Sequence, residues 1–187
     1  MKQLKMRRLG APVQPRALPD GYAYEFYSGS AEQITDWLEL CHGALIPDKS
    51  ENWFTSTILE YPDLCPMQDL FFVVEQRTGK RVATTAAVCH RQEGYIHMVA
   101  AAPEVRGRGI GHAMLRYALA MLEERGCTYT VLTTDDFRLA AIKTYLDAGF
   151  APVIEHDPES DVSQRWEHVL TELRYPCTYD LSFEDNF

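Results

Sequence analysis

The chain changes period at a glycine-rich run, and this change limits the fold more than any other feature. Before it, three β-type segments follow in quick succession: Leu70–Glu75, Arg81–His90 and Gly94–Ala101. Their apolar and β-branched residues suit strands. The joints Arg77-Thr78-Gly79-Lys80 and Arg91-Gln92-Glu93-Gly94 read as hairpin turns, each with glycine where φ is positive. The run itself is Ala102-Pro103-Glu104-Val105-Arg106-Gly107-Arg108-Gly109-Ile110-Gly111. After it, Met114, Leu115, Ala118, Leu119 and Leu122 recur at helical spacing as far as Gly126, a natural stop.

The rest of the chain follows the same logic. Thr128–Thr134 is a β-branched strand, and Phe137–Ala148 is a helix entered through the capping candidates Thr134 and Asp135. Gly149 stops it, and Phe150–Ile154 is a strand. On the N-terminal side, residues 1–21 form an irregular lead-in with Pro12, Pro15 and Pro19, carrying a short strand at Leu4–Leu9. Its basic residues Lys2, Lys5, Arg7 and Arg8 suggest a solvated arm. Tyr22–Tyr27 reads as a strand, and Ser30 opens a helix with Ile34, Trp37, Leu38 and Cys41 on one face. A second helix spans Ser50–Leu59, broken by Tyr61-Pro62-Asp63. Beyond a loop at Asp157–Asp161, Gln164–Arg174 reads as a helix and Cys177–Phe183 as a last strand. Such an order predicts a mixed α/β sheet.

With 187 residues the chain suits one domain, 1–187. The net charge of −9 argues against a nucleic-acid partner and suits a cationic substrate such as an amine. The five cysteines are dispersed and form no C-x-x-C pair, so neither a disulfide framework nor a metal site is expected. Met1–Arg8 lacks the apolar run of a signal peptide, and no apolar stretch is long enough to cross a bilayer. A cytoplasmic protein without a membrane partner is the expectation.

The glycine-rich run carries the chemistry. Glycines let a backbone approach a ligand closely, and successive N–H groups at a helix start cradle anions. Arginine side chains add charge beside them. The expected ligand therefore contains phosphate. A Walker loop would need Lys-Ser/Thr after the glycines, and the dinucleotide fingerprint would need glycine at His112. The pattern R/Q-x-x-G-x-G/A fits Arg106, Gly109 and Gly111 at every specified position.

Here the sequence resembles the GNAT superfamily of acyl-coenzyme A dependent N-acetyltransferases, over about residues 70–153. Ala101-Ala102-Pro103 is similar to the family's Val-x-Pro-like segment before the loop. Tyr145-Leu146-Asp147-Ala148-Gly149-Phe150 is similar to its Tyr-x-x-x-Gly-Phe pattern. The resemblance implies a six- to seven-stranded, mostly antiparallel sheet flanked by helices and splayed beside the motif strand, with residues 155–187 as a C-terminal extension. It implies acetyl-CoA as acyl donor, its pyrophosphate on Arg106, Gly107, Arg108, Gly109, Ile110 and Gly111, with His112 nearby. Main-chain groups of Val99, Ala100 and Ala101 would pair with the pantetheine arm and polarise the thioester carbonyl. Arg138 stands where the family often has a cofactor-contacting Asn, a departure at the cofactor site.

An alkylamine is protonated at neutral pH, so acetyl transfer needs a base, and the leaving thiolate benefits from an acid. Tyr145 matches the family's acid position. His97, nine residues before Arg106, matches a catalytic His in the arylalkylamine acetyltransferases, with Tyr95 or an ordered water as alternatives. Alternation places His97 on a face with Tyr95 and Val99. Cys89, Cys127 and His90 lack an orienting third group and are read as non-catalytic. The acceptor region is about Ser30–Asp69, where Trp37, Trp53, Phe54 and Tyr61 accompany several carboxylates as an amine site or as core and solvated face. The expected activity is acetyl transfer to a primary amine, of a small molecule first and a protein second. A non-catalytic acyl-CoA binding module is the rival, and a homodimer is left open.

Overall fold

The computed structural model describes residues 2–10, 12–14, 16–154 and 160–176. In chain order its elements are β1 (Leu4–Leu9), β2 (Tyr22–Phe26), α1 (Ala31–Cys41), α2 (Glu51–Phe54), α3 (Pro66–Asp69), β3 (Leu70–Glu75), β4 (Lys80–His90), β5 (Glu93–Ala101), α4 (Ile110–Glu124), β6 (Tyr129–Thr134), α5 (Leu139–Asp147), β7 (Ala151–Pro152) and α6 (Val162–Leu173). The chain divides into two compact units, Gly10–Thr130, and Met1–Leu9 with Val131–Phe187. The suggested last strand at Cys177–Phe183 lies outside the described residues.

In the unit Gly10–Thr130, β3, β4 and β5 pair antiparallel through the two expected hairpins, and β2 adds antiparallel to β3. The first hairpin turns as expected, with Gly79 at φ 72°. The second does not. Its positive φ, 56°, falls on Arg91, while Gly94 lies within β5 opposite Cys89. That glycine answers a packing demand. A Cβ on Gly94 would stand 2.7 Å from Leu122 Cδ1 and 3.0 Å from Thr130 Oγ1. Gly94→Val should therefore cost about 1–3 kcal/mol by overpacking, measured as a lowered urea midpoint with an unchanged m-value.

Ser30 caps α1 by accepting from the Gln33 N–H, and Ser50 caps α2 by accepting from the Asn52 N–H. Past Phe54 the second helix continues as a π-helical turn, Thr55–Leu59. Trp37, Phe54, Ile58, Leu70, Phe72 and Val88 form one apolar core with Tyr27 and Ala100. Arg81, only 10% exposed at its side chain, grips Glu25 through Nε and Nη2 (3.1 and 2.7 Å) and Asp36 through Nη1 (2.7 Å). One guanidinium thus ties β2, α1 and β4 together.

In the other unit, β1 lies between β6 and β7, antiparallel to β7 with Met6 opposite Pro152. The strand expected at Leu4–Leu9 is present, but the basic segment is no solvated arm. Leu4, Met6 and Arg8 point inward, and Arg8 Nε donates to the Ala148 carbonyl at 3.1 Å, at the C-terminal end of α5. A cation there answers free carbonyls and the negative end of the helix dipole. Helix α5 begins at Leu139 without a side-chain cap, so Thr134 and Asp135 do not cap it. Gly149 ends it at φ 91°. Helix α6 buries Trp166, Val169 and Leu170, and Arg165 Nε donates to Asp136 at 2.8 Å.

Candidate active site

The motif strand β5 is irregular where the chemistry is expected. Its pairing runs from Ala86 opposite His97 to Thr84 opposite Ala100, so three steps on β5 match two on β4. The extra residue is a bulge, and Met98 takes φ 55° within it. A bulge shifts alternation by one. Ala100, not Val99, therefore continues the face of Tyr95 and His97, which corrects the expected phase. The Thr85 hydroxyl donates to the His97 carbonyl at 3.1 Å and holds the irregular segment in place.

After β5 a single 3₁₀ turn, Pro103–Val105, leads into Arg106–Gly109. Gly107 and Gly109 have φ of 74° and 82°, in the left-handed region. Helix α4 follows directly, its first i to i−4 bond running from the Ala113 N–H to the Gly109 carbonyl (3.1 Å). The amides of Ile110, Gly111 and His112 precede that bond at the start of the helix, the end whose N–H groups and dipole favour an anion. A Cβ on Gly107 or Gly111 would meet no atom within 4 Å, so both glycines border open space. Such space fits a ligand that lies against the backbone. Arg106 and Arg108 are exposed beside it, and Arg108 Nη1 donates to Tyr22 Oη at 3.1 Å.

His97 is held on two sides. Its Nε2 is 2.9 Å from the Thr57 carbonyl, and its ring stacks on Tyr61 at 4.1 Å. A carbonyl can only accept, so Nε2 carries the proton and Nδ1 keeps the lone pair. Burial lowers the His97 pKa from its ordinary 6.5, against a smaller opposing effect of the Thr57 carbonyl. Burial likewise pushes Tyr61 up to about 12, with Tyr95 adding to the rise. The shift of His97 has a stability consequence. Below pH about 6.5 the unfolded chain binds a proton that the folded chain resists, so stability falls as pH drops below that value. In His97→Gln this part of the acid loss should disappear from pH-dependent urea unfolding.

Several acceptor candidates are already engaged. Trp37 and Phe54 are core. Asp36 holds Arg81, Glu39 holds Lys49 at 2.6 Å, and Asp63 lies 2.6 Å from His90 Nδ1. Trp53 and Tyr61 remain half-buried, with Glu51 and Glu60 exposed. Trp166 is also core. Cys127 Sγ lies 3.1 Å from Cys89 Sγ, and burial first, then that thiol, pushes Cys127 up to about 12. A thiol so held is a poor nucleophile at neutral pH. Thr57 and the π-helical turn that presents its carbonyl to His97 left no signal in the sequence.

In the other unit, Arg138 pairs with Asp135 (3.2 Å) and lies 5.7 Å from the Phe137 ring centre. Tyr145 is 5% exposed, its ring set edge-on to Phe150.

The family model described as "Acetyltransferase (GNAT) family" matches residues 31–150, well over half of the chain. The chain belongs to this family. A mycothiol acetyltransferase of Thermobispora bispora is 28% identical over 155 residues, covering 78% of this chain and 52% of the relative. The chain thus spans about half the length of the curated relatives it matches. A solved GCN5-related N-acetyltransferase from Sphaerobacter thermophilus superposes with a TM-score of 0.64 at 22% identity, over 80% of this chain and 47% of that one. A GNAT-family acetyltransferase from Colwellia psychrerythraea gives 0.59 at 21% identity, over 81% and 53%. These structural likenesses establish the GNAT fold. Among the described residues, no helix is long and apolar enough to cross a membrane.

Proposed function

We propose that this chain is an N-acetyltransferase that moves acetyl from acetyl-CoA to a primary amine of a small molecule by direct attack. The observation that carries the reading is the open glycine cradle at Gly107–Gly111, one 3₁₀ turn after a bulged strand. The loop amides and Arg106, Arg108 and His112 hold the diphosphate, and Arg138 is a further contact. Main-chain groups of Val99, Ala100 and Ala101 pair with the pantetheine arm, and an N–H among them polarises the thioester carbonyl. Bound acyl-CoA supplies the activated acyl group. His97 takes the amine proton through Nδ1, directly or through water, and Tyr145 protonates the departing thiolate. The relatives named mycothiol acetyltransferase favour a small acceptor over a protein.

The test is thiol release from acetyl-CoA over a panel of primary amines, with propionyl-CoA as the comparison donor. Turnover on an amine is expected. Tight acetyl-CoA binding without turnover on any amine would leave a binding module and overturn the enzyme reading. With His97 as base, the acid limb of kcat/KM lies below pH 6.5, in keeping with its lowered pKa. That limb should vanish in His97→Ala, and its persistence would assign the proton to another group.

A further inference from the structure

The lead-in segment does more than precede the domain. Val13 N–H donates to Glu123 Oε2 at 3.1 Å, and Arg116 Nη1 donates to the Gln14 carbonyl at 2.9 Å. Glu123 and Arg116 stand seven residues apart on α4, and Gly109 stands seven before Arg116. Seven residues are close to two helical turns, so the three positions share one face. The segment therefore runs along that face against the direction of α4, towards its N-terminus. What it delivers there is Arg16. From the position a Cβ would take on Gly109, Arg16 Nη2 is 3.1 Å away, Cζ 3.8 Å and Nε 3.9 Å. The guanidinium thus lies against the residue that opens α4, beside the exposed Arg106 and Arg108. Among the described residues Arg16 makes no hydrogen bond or ion pair.

We infer that Arg16 is a further phosphate-binding residue of the acyl-CoA site, carried there by the lead-in strap. In a chain of net charge −9, a guanidinium with no carboxylate partner stands over amides and cations whose shared preference is for an anion. Its planar fork can take two phosphate oxygens at once, which a lysine ammonium does not reproduce. The CoA diphosphate and its 3′-phosphate present the same chemistry, and either meets this description. The inference rests on the proposed acyl-CoA reading of the loop.

The test measures binding of CoA and of 3′-dephospho-CoA by calorimetry to the full chain and to Arg16→Ala, Arg16→Lys and Arg16→Glu. About a tenfold loss of CoA affinity is expected in Arg16→Ala, a larger loss in Arg16→Glu and partial rescue in Arg16→Lys. Equal loss with both ligands assigns Arg16 to the diphosphate, whereas loss confined to CoA assigns it to the 3′-phosphate. Unchanged CoA affinity in Arg16→Ala and Arg16→Glu, with an unchanged melting temperature, would overturn the inference. If the wild-type chain binds neither ligand, the acyl-CoA reading itself fails.

Discussion

Tyr145→Phe should lower turnover by about a hundredfold and leave acetyl-CoA affinity nearly unchanged. The size follows from what a positioned general acid contributes, on the order of 10² or more. The specificity follows from the packing. The ring is buried and set edge-on to Phe150, with centres 6.1 Å apart, and phenylalanine keeps that contact. Only the hydroxyl is lost, and with it the proton that the proposed mechanism assigns to the departing thiolate. Steady-state kinetics at saturating acetyl-CoA, paired with calorimetric binding, separates the two effects. Unchanged turnover removes Tyr145 as the acid. A fall in affinity as large as the fall in turnover makes its role one of binding.

The second large effect is on stability. Trp37→Ala should cost about 3–5 kcal/mol, the range for emptying a large aromatic site in a packed core. Trp37 is fully buried, and its ring meets Phe54 edge-on with centres 5.2 Å apart. Its Nε1 is buried without a hydrogen-bond partner, so truncation removes packing and no polar contact. Trp37→Phe should accordingly lose much less, because it keeps most of the apolar volume and discards an unsatisfied N–H. Urea unfolding of the two variants checks both statements. A stable Trp37→Ala whose only defect is a raised KM for the amine would return Trp37 to the acceptor site.

How far the sequence could be read depended on the range of the interactions behind each feature. Periodicity and caps are local. Ser30 and Ser50 therefore announce their helices, and the spacing of Met114, Leu115, Ala118 and Leu122 announces α4. The cradle was equally legible, because Gly107 and Gly109 owe their positive φ to the turn they make. Gly94 was misread for the opposite reason. It looks like a turn glycine, yet the demand for it comes from Leu122, far along the chain. Arg8 looked solvated until the end of α5 supplied the carbonyl it binds.

By itself, then, the sequence determined most of the order of elements, the glycine-rich turn into α4 and the family, since each rests on residues within a few positions of one another. Tertiary structure alone decided the rest. It shifted the phase of β5 at Met98, set His97 against the Thr57 carbonyl with Nδ1 as its basic nitrogen, and consigned Trp37 and Phe54 to the core. It also brought Arg16 to Gly109 along α4. These outcomes depend on contacts between residues tens of positions apart, which no local period or motif encodes.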